Sequence, residues 1–403
     1  MLSFLKHTFL NPLSEFIHDS RAIGITLLGA TFISLLVANI PFTKEWYQHL
    51  WAYSFDGTTA HHLHISVLSL PNSPLLIIND LLMAIFFFLA GMEIKREMVC
   101  GELASIKKSI LPIAAAIGGM AVPAILFTII NGGTAYTKGW AIPTATDIAF
   151  TLGVASLLGN RVPVALKIFL TALAIIDDLG AIIVIALFYG GKLQLLYLLV
   201  CAIIVGLLLL LNKFNIKFGI LNLILGILLW YCMFNSGIHA TVAGVVFAFL
   251  VPTKYLENFE LKLHVPVYFL IMPIFALANT AIIFPDNGLQ SLTGTLSWGI
   301  IIGLLIGKPL GICLASLILT KTKIAELPTA TNWHQMIGAG ILAGIGFTMS
   351  IFIATLAFTS TTEQDIAKIA VLSASTIAMI IGGLWLKTGG KNSLAKKQIK
   401  IQQ

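Results

Sequence analysis

Charge is what this chain lacks. Of its 403 residues only 10% are Asp, Glu, Lys or Arg, while 58% are hydrophobic; a soluble domain carries about 25% charged residues. A water-soluble globular protein is therefore excluded, and the composition is that of an all-α, polytopic membrane protein. Cysteine is scarce as well. Cys100, Cys201, Cys232 and Cys313 are the whole complement, three of them lie in apolar stretches, and none has metal-ligand spacing, so neither disulfides nor metal clusters are expected. A Gly-rich phosphate loop of the Walker type is missing, so no ATP and no other cofactor is implied. No apolar run near the N-terminus precedes a small-residue cleavage site, and the first long segment is read as a retained span.

What the chain has is apolar runs. With about 20 residues needed per span, twelve candidates follow: Ile23 to Ile40, Leu75 to Ile94, Ile110 to Asn131, Trp140 to Gly159, Pro163 to Tyr189, Leu193 to Leu211, Phe218 to Phe234, Ile238 to Val251, Val265 to Phe284, Leu296 to Leu319, Trp333 to Ala357 and Asp365 to Leu386. Together they predict a single transmembrane domain over 1–403, with a membrane region at 22–387 and a cytoplasmic tail at 388–403. The net charge of +7 first suggests nucleic acid. With the N-terminus inside, however, eighteen of the 24 Lys and Arg fall in internal segments and only Lys44, Lys138, Lys192 and Lys368 in external ones. That bias places both termini in the cytoplasm and leaves no basic patch for nucleic acid.

The few ionisable residues well inside the spans are Asp80, Asp147, Lys167, Asp177, Asp178, His239 and Lys308. A charge at bilayer depth marks a functional site by default. The adjacent pair in Ala174-Ile175-Ile176-Asp177-Asp178-Leu179-Gly180-Ala181 is the hardest to explain as packing, since like charges in contact resist joint ionisation. Asp177 is fourteen residues past Pro163, about 21 Å along a helix, near the middle of an apolar core about 30 Å thick. Successive helical positions differ by about 100°, so the two carboxylates flank a cavity rather than share one direction. Asp80 and His239 read as hydrogen-bonded interior residues.

Two segments are poor continuous helices. In the fourth, Ile142-Pro143-Thr144-Ala145-Thr146-Asp147-Ile148 places a proline and two threonines at mid-span, and proline breaks the hydrogen-bond ladder. In the eleventh, Gly344-x-Gly346 followed by Thr348 predicts an unwound centre. Interrupted backbone at this depth must line a cavity or be buried in protein. Segments three to five and ten to twelve enter from opposite sides, which makes them an inverted-topology repeat with broken helices 4 and 11 crossing at the midplane, the pattern of secondary transporters. Broken helices leave positive and negative dipole ends facing each other. Asp147 would offset the positive ends; Lys308, in Gly307-Lys308-Pro309, would offset the negative ends or pair with Asp177.

At the cytoplasmic end of segment two lies Glu93-Ile94-Lys95-Arg96-Glu97, and Glu260 and His264 lie near the start of segment nine. Such groups at a cavity mouth attract cations and respond to pH; they equally suit an ordinary solvated helix end. The external connection from Pro41 to Pro74 contains His62-Leu63-His64-Ile65-Ser66-Val67, whose alternation predicts a strand or small hairpin. His61, His62 and His64 offer a metal cluster or, the better reading, an exposed polar strand with a contact role.

Ala145-Thr146-Asp147-Ile148-Ala149-Phe150, Leu173 to Ala181, Gly307-Lys308-Pro309-Leu310-Gly311 and Gly344-Ile345-Gly346-Phe347-Thr348-Met349-Ser350-Ile351-Phe352 resemble, in order, the signature segments of the NhaA sodium/proton antiporters. The resemblance runs from about Ile23 to Leu386. That family is itself built on inverted repeats, so the repeat and the resemblance share one origin. The resemblance implies a bacterial inner-membrane exchanger. It would export sodium or lithium against external protons, electrogenically and with activation at alkaline pH. Asp178 would be the main cation ligand and Asp177 its partner, released from Lys308 as the site changes state, with Thr146 and Asp147 aiding ion binding or charge balance. Glu93, Arg96, Glu97 and Glu260 match a cytoplasmic pH-response cluster, and His239 a histidine affecting pH dependence. The long external loop matches a β-hairpin through which a homodimer forms. One departure is Leu261, where a histidine can occur in the family.

Two other classes fit the residues less well. A cation channel places rings of carboxylates or carbonyls around an axis, which a charged pair on one helix does not provide. An intramembrane aspartyl protease needs one aspartate on each of two facing helices in a Gly-x-Gly-Asp type context, which is missing here.

Overall fold

A lipid-embedded chain must satisfy its own backbone, and helices do this segment by segment. The computed structural model describes residues 20–58, 61–65, 68–284 and 293–401. Among these, eight helices are long and apolar enough to cross a membrane: Ala22–Asn39, Pro74–Cys100, Ile106–Asn131, Val164–Phe188, Leu195–Lys213, Thr253–Asn279, Thr295–Lys321 and Thr361–Thr388. Trp333–Ala343 and Phe347–Ala357, bent by 42° at their junction, make a ninth if counted as one span. Ile148–Leu157, Ile220–Phe234 and Thr241–Leu250 are shorter apolar helices. The chain is a multi-pass, mostly helical membrane protein.

Three differences from the sequence reading have physical causes. Segment nine begins at Thr253, not Val265, because its first turns are polar and hydropathy does not register them. Glu260 and His264 therefore lie within that helix. A helix at Lys44–Ala52 in the connection between the first two spans was not anticipated, its polar residues hiding its periodicity. The stretch before the fourth segment's break is a 3-10 helix, Ala135–Thr144, which holds Pro143; the proline sits inside this tighter turn and the break follows it.

The same connection also forms an antiparallel hairpin of β1 (His62–Ile65) and β2 (Leu68–Pro71), with His62 opposite Pro71 and Ile65 opposite Leu68. Residues 66 and 67 of the predicted strand lie outside the described residues.

The fold divides into two compact units. One comprises Met1–Thr26, Ser105–Ala181 and Pro285–Gln403, the other Leu27–Ala104 and Ile182–Phe284. In the first, Ile106–Asn131 lies against Lys308–Lys321 at backbone contact: a Cβ on Gly118 would collide with the Gly311 carbonyl, and one on Gly311 with that of Gly118. Small residues permit such approach where hydrophobicity cannot drive helices together. In the second, Pro74–Cys100 meets Thr241–Leu250 in the same way, a Cβ on Gly91 falling 2.8 Å from Ala248 Cβ. Among the described residues, three π-helical turns, Ile78–Leu82, Val267–Ile271 and Gly303–Gly307, interrupt spans; such bulges gather at functional positions, and the third ends against Lys308.

Candidate functional site

The site lies wholly within the first unit and is assembled on two helix breaks. In the fourth segment the chain leaves its 3-10 helix at Ala145 (φ −83°, ψ 150°), stays extended to Asp147 (φ −88°, ψ 105°) and re-enters a helix at Ile148. Asp147 is the N-cap, its Oδ1 accepting the Phe150 N–H at 3.2 Å. The eleventh segment ends its first half at Ala343 and starts its second at Phe347. Gly344 is dictated by crowding: a Cβ there would sit 2.5 Å from the Leu304 carbonyl oxygen. Gly346, at the N-cap of the second half, has no side chain to offer. Asp147 supplies the missing group. Its Oδ2 accepts the Thr348 N–H at 3.1 Å and the Thr348 hydroxyl as well. One buried carboxylate thus faces the positive ends of two half-helices, where an anion is most stabilising.

The breaks are joined at further points. The Asp147 N–H donates to the Ile345 carbonyl at 2.7 Å. The Ser350 hydroxyl donates to the Ile142 carbonyl at 2.7 Å, and the Thr151 hydroxyl to that of Leu342 at 3.1 Å. The Thr146 hydroxyl has two acceptors in reach, Asp177 Oδ2 at 2.6 Å and the Ala343 carbonyl at 3.0 Å; its single proton serves one at a time.

Asp177 Oδ2 also meets Lys308 Nζ at 2.8 Å, both side chains being fully buried. Lys308 Nζ donates to the Thr144 carbonyl too, at the C-terminal end of the 3-10 helix where orphan carbonyls make a negative pole. The lysine is aimed by the close Gly118–Gly311 approach and by the π turn that precedes it. Asp177 Oδ1 has no hydrogen-bond partner among the described residues. An oxygen in that state is costly unless an ion, a proton or water reaches it. Asp178 is 5% exposed against 1% for Asp177, and its helical offset turns it to a different wall.

The structure therefore brings Asp177, Thr146, Thr144, Lys308 and Asp147 into one connected cluster around Gly344 and Gly346, with Asp178 one residue along. The other candidates lie in the second unit. Arg96 Nε is 2.9 Å from Glu260 Oε2, and Arg96 Nη2 is 3.2 Å from Glu97 Oε1. Glu97 Oε2 further accepts the Glu102 N–H at 3.0 Å, and Glu93 lies within the field of Glu260, Arg96 and Glu97. His264 sets its ring 4.7 Å from that of Tyr268. His239 Nε2 lies 3.8 Å from Asp80 Oδ1, and its Nδ1 3.1 Å from the Thr241 hydroxyl.

Sequence reasoning missed several partners. Thr151 and Ser350 serve carbonyls of the opposite break, and their only signal was a hydroxyl within one turn of a predicted interruption. His61 approaches Asp80 Oδ2 at 3.6 Å, joining the hairpin to the second span, which no spacing could announce. The His62 ring stacks on that of His64 (6.2 Å, 20°), while the rings of His61 and His62 are tilted (5.3 Å, 55°). Partial desolvation beside Phe234, with the ring still half exposed, and, second, the neighbouring His62 hold the His61 imidazole below the usual histidine range.

Residues 14–386 match the family model described as Na+/H+ antiporter 1. The chain belongs to that family. It is 46% identical over 398 residues to the Na(+)/H(+) antiporter NhaA 2 of Flavobacterium johnsoniae, covering 97% of this chain and 96% of that protein. It is 46% identical over 385 residues to the Na(+)/H(+) antiporter NhaA of Citrobacter koseri, covering 93% and 98%. The NhaA proteins of Escherichia coli strains stand at 45% over 384 residues, covering 93% and 97%.

Proposed function

We propose that this protein exchanges sodium or lithium for protons across the bacterial inner membrane, as a secondary transporter whose cation site is the Asp177–Asp178 pair. The observation that carries the reading is the state of Asp177: fully buried, held at 2.8 Å by Lys308 and at 2.6 Å by Thr146, with its second oxygen unmatched among the described residues. In that arrangement Lys308 neutralises Asp177 when no cation is present. An entering sodium or lithium ion replaces the ammonium as counter-charge, with Asp178 as the main ligand and the Thr146 oxygen able to turn its lone pair to the ion. Protons compete for the same carboxylates, so loading with one excludes the other. Asp147 contributes fixed negative charge at the crossing, since its oxygens already face three donors. Two proton carriers per cation would make the exchange electrogenic.

The wider reading is twelve spans, obtained by adding the three shorter apolar helices to the nine, arranged with segments three to five and ten to twelve as inverted repeats and both termini cytoplasmic. Glu93, Arg96, Glu97, Glu260, His264 and His239 set activation at alkaline pH, and the β1–β2 hairpin joins two copies as a homodimer. The test is proton movement in inverted vesicles on addition of sodium or lithium across a pH series. Sodium-induced collapse of the pH gradient at alkaline pH is expected; its absence in well-folded protein refutes the reading. Full exchange by Asp178→Asn would remove Asp178 as the cation ligand.

A further inference from the structure

The half-helix Phe347–Ala357 begins without a cap of its own, because Gly346 carries no side chain. The first N–H groups of a helix have no intrahelical acceptor and must be served from outside. Two residues do so. Thr348 N–H goes to Asp147, as described; Phe347 N–H goes to the hydroxyl of Ser375 at 3.1 Å. Ser375 is 2% exposed and belongs to Thr361–Ile401, a helix with no break. The start of the half-helix is thus suspended between Asp147 on the broken fourth segment and Ser375 on a continuous one.

We infer that Ser375 is a positioning residue for the cation site, fixing the eleventh-segment break and through it the hydrogen bonding of Thr146 and Asp177. The inference rests on the exchange proposed above. Phe347 is itself buried, at 4% exposure, so without the serine its N–H has no water to turn to. An anionic acceptor already serves the next residue, the Asp147 carboxylate that takes the Thr348 N–H. Drift of Phe347 toward it displaces the break directly upstream, where Ile345 receives the Asp147 N–H and Ala343 is one of the two acceptors for the Thr146 hydroxyl. The other acceptor is Asp177 Oδ2. A change at Ser375 therefore alters how firmly the Thr146 proton is held by Asp177, which the cation and the proton both feel.

The experiment measures the apparent KM for sodium, the maximal rate, the pH profile of exchange and the thermal midpoint for wild type, Ser375→Ala, Ser375→Thr and Thr376→Val. Thr376 bonds only its own helix, at the Leu372 carbonyl, and serves as the control. Ser375→Ala is expected to change the KM for sodium about fivefold, the scale of one buried hydrogen bond, and to displace the pH profile. Ser375→Thr restores both, and Thr376→Val changes neither. A merely structural serine would lower the thermal midpoint and the maximal rate while leaving KM and pH profile in place; that outcome overturns the inference, as does a failure of threonine to restore any of the shift. If Ser375→Ala does not accumulate, Ser375→Cys, a weak acceptor, is expected to give an intermediate KM, and a wild-type KM there is contrary. Absence of sodium-driven exchange in wild type would instead indict the proposed function.

Discussion

Removing Lys308 should strand a buried charge, and the stability cost can be worked out without reference to transport. In Lys308→Met the fully buried Asp177 carboxylate loses its cation at 2.8 Å and the Thr144 carbonyl loses its donor. Breaking a buried pair from one side costs about 3–5 kcal/mol, because the remaining charge is uncompensated, and the lost hydrogen bond adds about 1 kcal/mol. The double variant Asp177→Asn/Lys308→Met removes both charges and should cost only about 1–3 kcal/mol, the share of the lost hydrogen bonds. Unfolding entropy of about 2.1 cal/mol/K per residue over 403 residues converts this to a fall in Tm of roughly 5–7 °C for Lys308→Met and roughly 1–4 °C for the double variant, for one cooperative transition. Fluorescence-monitored thermal unfolding in detergent reads both, together with Asp177→Asn to complete the cycle. Alkaline pH is the right condition, since it opposes escape of the stranded carboxylate by proton uptake. A fall below about 1 °C for Lys308→Met, or a double variant whose loss equals the sum of the singles, would refute the reasoning.

Two further predictions follow from the breaks. Asp147→Ala leaves three buried donors unserved and should destabilise by about 3–5 kcal/mol, whereas Asp147→Asn keeps an acceptor and should lose about 1–2 kcal/mol, chiefly the interaction with two helix ends; equal losses in thermal unfolding would mean that hydrogen bonding there is immaterial. Gly344→Ala drives a methyl into the Leu304 carbonyl, which cannot rotate aside, at about 1–3 kcal/mol. Gly206→Ala, with no atom within 4 Å of its new Cβ, should be neutral or gain up to about 1 kcal/mol in helix propensity, so similar midpoints for the two would contradict the close approach.

How much of this was legible depends on what kind of signal each feature leaves. Long apolar runs announce helices, so most spans began and ended within a few residues of their predicted limits. Segment nine did not, because Thr253–Pro266 is helical yet polar, and hydropathy measures burial in lipid rather than helicity. The break at Gly344–Gly346 was readable because two glycines and a threonine are a costly combination in a helix interior. The break at Ala145–Asp147 was read from Pro143, although the proline itself sits in a 3-10 turn. Asp177, Asp147 and Lys308 were singled out because a charge in an apolar run is conspicuous. Their mutual distances were not available from sequence, since they are fixed by contacts such as Gly118 with Gly311 that join residues almost two hundred positions apart. Ser375 illustrates the limit: a serine in a membrane helix is ordinary, and only its distance from the Phe347 N–H sets it apart.

The hydrogen bonds joining residues 142–151 to residues 342–350 have a mechanical meaning. Six of them cross between the two broken segments, at lengths that tolerate only a few tenths of an ångström before weakening. Sliding one segment along the other by a single residue rise, about 1.5 Å, would sever most of them at once. The crossing therefore behaves as a rivet rather than a hinge. Any displacement at this point has to move the riveted pair as one part, or else act on the side chains that surround it.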